Sequence, residues 1–82
     1  MTKEQALKAA EAAREEKEVP SGARIVSTEQ QYIELGEGDP ERPSPVRDVL
    51  VWLVRFGLHR GRWVELAVDD KQGEVLRVRR SR

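Results

Sequence analysis

The sequence contains no cysteine. That excludes a disulfide framework and thiolate metal sites, and it leaves the redox compartment undetermined. Aromatic residues are scarce, with two Trp, one Tyr and one Phe, so the core must be mainly aliphatic. The single histidine, His59, has neither cysteine partners for a zinc site nor the companions of a catalytic triad, and reads as an exposed turn residue. No apolar run approaches the ~18 residues of a membrane-spanning helix. The first residues form a charged amphipathic segment in place of a secretory signal. The expectation is a soluble, unprocessed chain without membrane insertion, cytoplasmic as it stands. There is no phosphate-cradling glycine loop and no nucleophile elbow. The neighbouring carboxylates Glu15, Glu16, Glu18, Asp69 and Asp70 fall on a helix end and a turn, where they are normally solvated. Neither an enzymatic activity nor a cofactor is expected.

Net charge is also missing, since 15 basic residues balance 15 acidic ones. The balance conceals a division: Met1 to Glu41 holds five basic and ten acidic residues, and Arg42 to Arg82 the reverse. Such asymmetry marks either a charged partner or complementary charge within one fold. At 82 residues the chain is one domain, and a chain this short buries only about 60% of the surface exposed when unfolded.

What is present reads as one helix followed by strands. "MTKEQALKAAEAAREEKE" is rich in strong helix formers, and Thr2 with Gln5 makes a capping box. A helix is predicted over Thr2 to Lys17, with Ala6, Leu7, Ala10, Ala13 and the stem of Arg14 on its inner stripe. Pro20 and Gly22 in "VPSG" end it. "ARIVSTEQQYIEL", Ala23 to Leu35, is a strand with a bulge expected near Glu29 or Gln30. Gly36 to Pro45 concentrates three of the four prolines and reads as a long loop, either a surface connection or a lid or docking segment. Strands over Val46 to Gly57, Arg62 to Asp69 and Glu74 to Arg80 follow, joined by "LHRG" and "DKQG", each ending in glycine as hairpin loops favour. The predicted fold class is α+β, a helix packed on a four-stranded antiparallel meander.

The stretch "DVLVWLVRF" is apolar on both faces of its strand. Alternation allows one wholly apolar sheet face, made of Leu50, Trp52, Val54, Phe56, Val64, Leu66, Val68, Leu76 and Val78, for the alanine stripe to cover. The opposite face receives Val49, Val51, Leu53, Arg55, Trp63, Glu65, Ala67, Val75, Arg77 and Arg79. There Glu65 can meet Arg77 or Arg79, and Trp63 can stack under Arg55. Val51, Leu53 and Trp63 would leave an exposed apolar patch, to be met by a second copy, by another protein or by the proline-rich loop. The candidate partner-binding residues are Val51, Leu53, Arg55, Trp63, Arg77 and Arg79. An alternative comes from "RVRRSR", Arg77 to Arg82: alternate arginines near Trp63 could hold phosphates and stack a base of single-stranded nucleic acid. The absence of net positive charge weighs against that alternative.

The order of elements, with "VWLVRF" and then "GRWVELAVDDKQGEVLRV", resembles the PepSY domain. The matching residues are Val68, Asp69, Gly73 and Val75 of its V-D-x-x-x-G-x-V hairpin, with "EQALKAAEAA" similar to its opening helix. The resemblance implies a cystatin-like helix-on-sheet fold and a role in binding or restraining peptidases. It also implies a place outside the cytoplasm or beside a membrane, where such domains often work. Within the hairpin, Asp69 should accept turn amides and Gly73 should take a positive φ, a structural role.

Overall fold

The computed structural model describes residues 1–35, 38–39, 42–43 and 47–81, with side chains for 1–35 and 48–81. It has helix α1 (Lys3–Ala13), strands β1 (Arg24–Leu35), β2 (Gly38–Asp39), β3 (Arg42–Pro43) and β4 (Arg47–Gly57), a 3₁₀ turn (His59–Gly61), β5 (Trp63–Asp69) and β6 (Val75–Arg80). The main sheet has the order β1-β4-β5-β6, antiparallel throughout, with the helix over β4 and β5. This is the α+β meander that the alternation predicts. Within the segment read as a loop, the described residues form two short strands, β2 and β3, that pair Gly38 with Pro43 and Asp39 with Arg42. Whether this segment covers the outer sheet face is a question that lies outside the described residues.

The capping box forms as predicted: the Gln5 amide donates to Thr2 Oγ1 at 3.2 Å and the Thr2 amide to Gln5 Oε1 at 2.9 Å. The regular helix stops at Ala13, four residues short of the Lys17 expected, because the Arg14 amide turns to Glu11 O (3.4 Å) and tightens the coil. One further turn closes in a Schellman arrangement, the amide of Val19 donating to Arg14 O (2.8 Å) and that of Glu18 to Glu15 O (3.1 Å). Glu18 therefore sits at φ 57, a position that suits glycine. Replacing Glu18 with Gly is expected to raise stability by about 0.5–1 kcal/mol in urea unfolding. A loss of stability would contradict the left-handed cap.

The core follows from small residues packed above large ones. Ala6 and Ala10 have no exposed surface, and Leu7, Ala9 and Ala13 flank them. Beneath, Val54, Phe56, Val64, Leu66 and Val68 are buried, because the registers place Val54 opposite Leu66 and Phe56 opposite Val64. Arg14 behaves as the sequence suggested, its guanidinium lying 5.1 Å from the Phe56 ring centroid and donating to Pro20 O and Ala23 O at 3.1 and 2.6 Å.

Two bulges depart from the predicted alternation. In β6, Ala67 faces Arg77 while Val68 faces Val75, so Leu76 is the extra residue. Alternation is thereby reversed: Val75 joins Val78 against the helix-side core, and Leu76 packs on the other face. The expected places of Val75 and Leu76 are exchanged. In β1 the bulge is at Val26, between the pairs Ile25–Phe56 and Ser27–Arg55, not near Glu29 or Gln30. A Cβ on Gly57 would lie 2.8 Å from Val26 Cγ1, so a larger residue here must displace the Val26 side chain.

Candidate binding surfaces

The outer face divides into two halves. In the apolar half, Val51 is fully buried and Leu53 is 8% exposed, clustered with Ile33 and Ala67. Leu35, Val49 and Leu76 pack against this cluster. The exposed patch of Val51, Leu53 and Trp63 predicted from the sequence is therefore absent. Ile33 from β1 and the bulged Leu76 from β6 flank the short side chains of Val51 and Ala67, and neither placement is visible in β4 and β5 alone.

In the polar half, antiparallel register sets Arg55 opposite Glu65 and Glu65 opposite Arg79. Arg55 Nη2 lies 3.1 Å from Glu65 Oε2, and its guanidinium carbon lies 4.0 Å from the Trp63 ring centroid. Glu65 is 6% exposed, so its charge is held inside by Arg55. Arg77 lies opposite Ala67 and is half-buried, whereas Arg79 is exposed. The structure thus gathers Arg55, Trp63, Arg77 and Arg79 on one half-face and separates Val51 and Leu53 from it as interior residues.

A second surface was missed in the sequence. Register places Arg24 opposite Gly57, which carries the start of β1 to the β4–β5 turn. There Arg24, His59, Arg60 and Arg62 line a groove floored by Val26 and Leu58, with no carboxylate in its lining. Arg60 has φ 59 and ψ 37 and Gly61 φ 71, the two left-handed residues of a type I′ turn, where Asn-Gly is the favoured pair. The signal available in the sequence was that arginine before Gly61. The meeting with Arg24 required knowing the strand pairing.

Asp70 gathers polar contacts at the opposite end, but they act as a clasp. Its Oδ1 accepts from Trp52 Nε1 at 2.8 Å, Gln30 Nε2 at 3.1 Å and the Met1 ammonium at 3.2 Å. These contacts tie β1, β4 and the start of the helix region to the β5–β6 turn. The Trp52 hydrogen bond, followed by the Met1 ammonium and Gln30, outweighs desolvation and holds the Asp70 carboxyl below its ordinary 3.8. Because the folded value is the lower one, Asp70 contributes stability above about pH 3.8 that is lost as pH falls through the folded value. Asp70→Asn should therefore be less stable at neutral pH and lose less stability than wild type on acidification below pH 4. Parallel acid-titration curves would contradict the clasp. In the adjacent turn the Lys71 amide donates to Asp69 Oδ1 at 3.1 Å and Gly73 has φ 73, as the hairpin motif predicts.

Among the described residues no three His, Asp or Glu side chains converge as metal ligands would, and no helix is long and apolar enough to cross a membrane. His59 lies exposed in the 3₁₀ turn. Comparison of the chain with family models, with curated proteins and with solved structures finds no match.

Proposed function

We propose that the chain is a small non-enzymatic protein-binding module that meets an acidic partner through the arginine-rich half of its outer sheet face. The observation that carries this reading is the grouping of Arg55, Trp63, Arg77 and Arg79 around Glu65, whose carboxylate is buried and occupied by Arg55. Arg and Trp are the residues enriched in interface cores. The rigid sheet positions them, and with Arg55 neutralised by Glu65 the charges of Arg77 and Arg79 are the ones a partner neutralises. Val51 and Leu53, buried in the other half of this face, do not touch the partner.

A glutamate-rich peptide is the probe for the general reading. It should bind with an affinity that falls as salt rises and that the Arg77→Glu, Arg79→Glu double variant loses. Equal binding by the variant would overturn the proposal. The likeness to the PepSY domain directs the narrower form, restraint of a peptidase, toward thermolysin-like enzymes. In that form, titrating the protein into such an enzyme slows hydrolysis, and a flat titration removes it. Nucleic acid is the weaker reading, because Arg55 already covers one face of the Trp63 ring on which a base would stack.

A further inference from the structure

The groove between the start of β1 and the β4–β5 turn gathers features that the fold by itself does not favour. Val26 is the bulged residue of β1, and it lies over Gly57, close enough that a Cβ there would come within 2.8 Å of its Cγ1. Bulges re-aim side chains and recur beside functional sites. Here the re-aimed side chain is a valine left 62% exposed. In the facing turn Arg60 has φ 59, a left-handed backbone that asparagine or glycine adopts with less strain. Arg24, Arg60 and Arg62 line the same groove without a carboxylate, and among the described residues none of the three belongs to an ion pair. An open valine, a strained arginine and uncompensated positive charge each disfavour the free protein. A ligand relieves two of them, the exposed apolar surface and the charge.

The lining selects the chemistry of that ligand. The groove has a volume of about 760 Å³, the size of a site for a small organic molecule. Its apolar part is aliphatic, formed by Pro20, Ala23, Val26 and Leu58, with no Phe, Tyr or Trp in the lining. That suits an aliphatic body better than a stacked base. The three guanidiniums supply more positive charge than a single carboxylate neutralises. A phosphate monoester carries between one and two negative charges near neutral pH, and its oxygens match the planar donor fork of arginine.

We propose that this groove binds a small phosphate monoester with an aliphatic body, the phosphate held by Arg24, Arg60 and Arg62 and the body resting on Val26 and Leu58. Arg77 and Arg79 belong to β6, at the far edge of the sheet from β1. The groove and the outer arginine half-face are therefore separate sites, and either can be lost without the other.

The test titrates hexyl phosphate into the ¹⁵N-labelled chain at low salt, beside inorganic phosphate, hexanol and hexanoate. Hexyl phosphate should shift the amides of Val26, Leu58, Arg60 and Gly61. It should bind about tenfold or more tighter than inorganic phosphate or hexanol, each of which offers half of the ligand, and at least about threefold tighter than hexanoate. Arg24→Gln and Arg62→Gln should each weaken binding about threefold to tenfold. Arg60→Asn should weaken it similarly while raising the urea midpoint, because asparagine suits the left-handed turn; the gain in stability shows that lost binding is not lost folding. Arg77→Gln with Arg79→Gln should leave the affinity unchanged within about twofold. Absence of groove shifts at millimolar hexyl phosphate overturns the proposal. So does equally tight inorganic phosphate, which would mean an adventitious ion only, or equally tight hexanoate, or groove variants that bind as the wild type does. Shifts gathered at Arg77 and Arg79 would move the anion to the outer face and overturn it too.

Discussion

Replacing Phe56 with alanine is expected to lower stability by about 3–5 kcal/mol, the range for deleting a buried aromatic. Phe56 has no exposed surface and is the one phenylalanine of the chain. It sits beneath the alanine stripe and under the Arg14 guanidinium. Alanines above cannot collapse into the space, because their side chains end at Cβ. The loss is also large against the total: at roughly 0.05–0.15 kcal/mol per residue, a domain of this size is stable by about 4–12 kcal/mol. The variant should be largely unfolded at 37 °C or unfold at much lower urea. Phe56→Leu, which keeps most of the volume, should cost less than about 1.5 kcal/mol. A loss under about 1 kcal/mol for Phe56→Ala would mean that the helix is not seated on β4 as described.

Arg55→Ala is expected to cost about 2 kcal/mol, for a different reason. The Glu65 side chain is 7% exposed and its carboxylate depends on Arg55, which is itself 38% exposed. Removing the arginine leaves a buried acceptor short of its donor and also abolishes the stacking on Trp63. Removing the charge of the acid is milder, because the half-exposed arginine regains water; Glu65→Gln should cost less than half as much. Replacing both members by apolar residues, Arg55→Met with Glu65→Leu, should recover most of the loss, since the desolvation of an ion pair disappears with the pair. Urea unfolding of the four proteins checks the order. A neutral Arg55→Ala would show that Glu65 reaches solvent or another cation unaided.

The features legible in the sequence are those set by near neighbours in the chain. Thr2 and Gln5 announce the cap because its partners are three residues apart. Gly61 and Gly73 announce their hairpins because left-handed backbone is a local demand. Trp52, Val54 and Phe56 announce the inner face because strand alternation is local as well. Other features depend on how one strand slides against another. Val75 and Leu76 are both apolar, so nothing local says which of them faces the helix; the shift between Ala67 and Val68 decides. The bulge at Val26 depends on pairing with Phe56 and Arg55. The same limit governed the candidate site. The stacking of Arg55 on Trp63 was legible, but Glu65, expected to meet Arg77 or Arg79, takes Arg55 as its ion-pair partner, and Val51 and Leu53 prove buried in a cluster with Ile33, which comes from a strand whose alternation is imperfect. Arg24, Arg60 and Arg62 meet only after β1 has been aligned with β4.

The most direct test of the arginine-rich face is a nuclear magnetic resonance titration of the ¹⁵N-labelled chain with a glutamate-rich peptide. The account predicts that shifts concentrate at the Trp63 indole and the amides of Arg55, Arg77 and Arg79, fading with added salt, while Val54, Phe56 and Leu66 on the helix side stay unmoved. Shifts confined to other surfaces, with Trp63 silent, would contradict it.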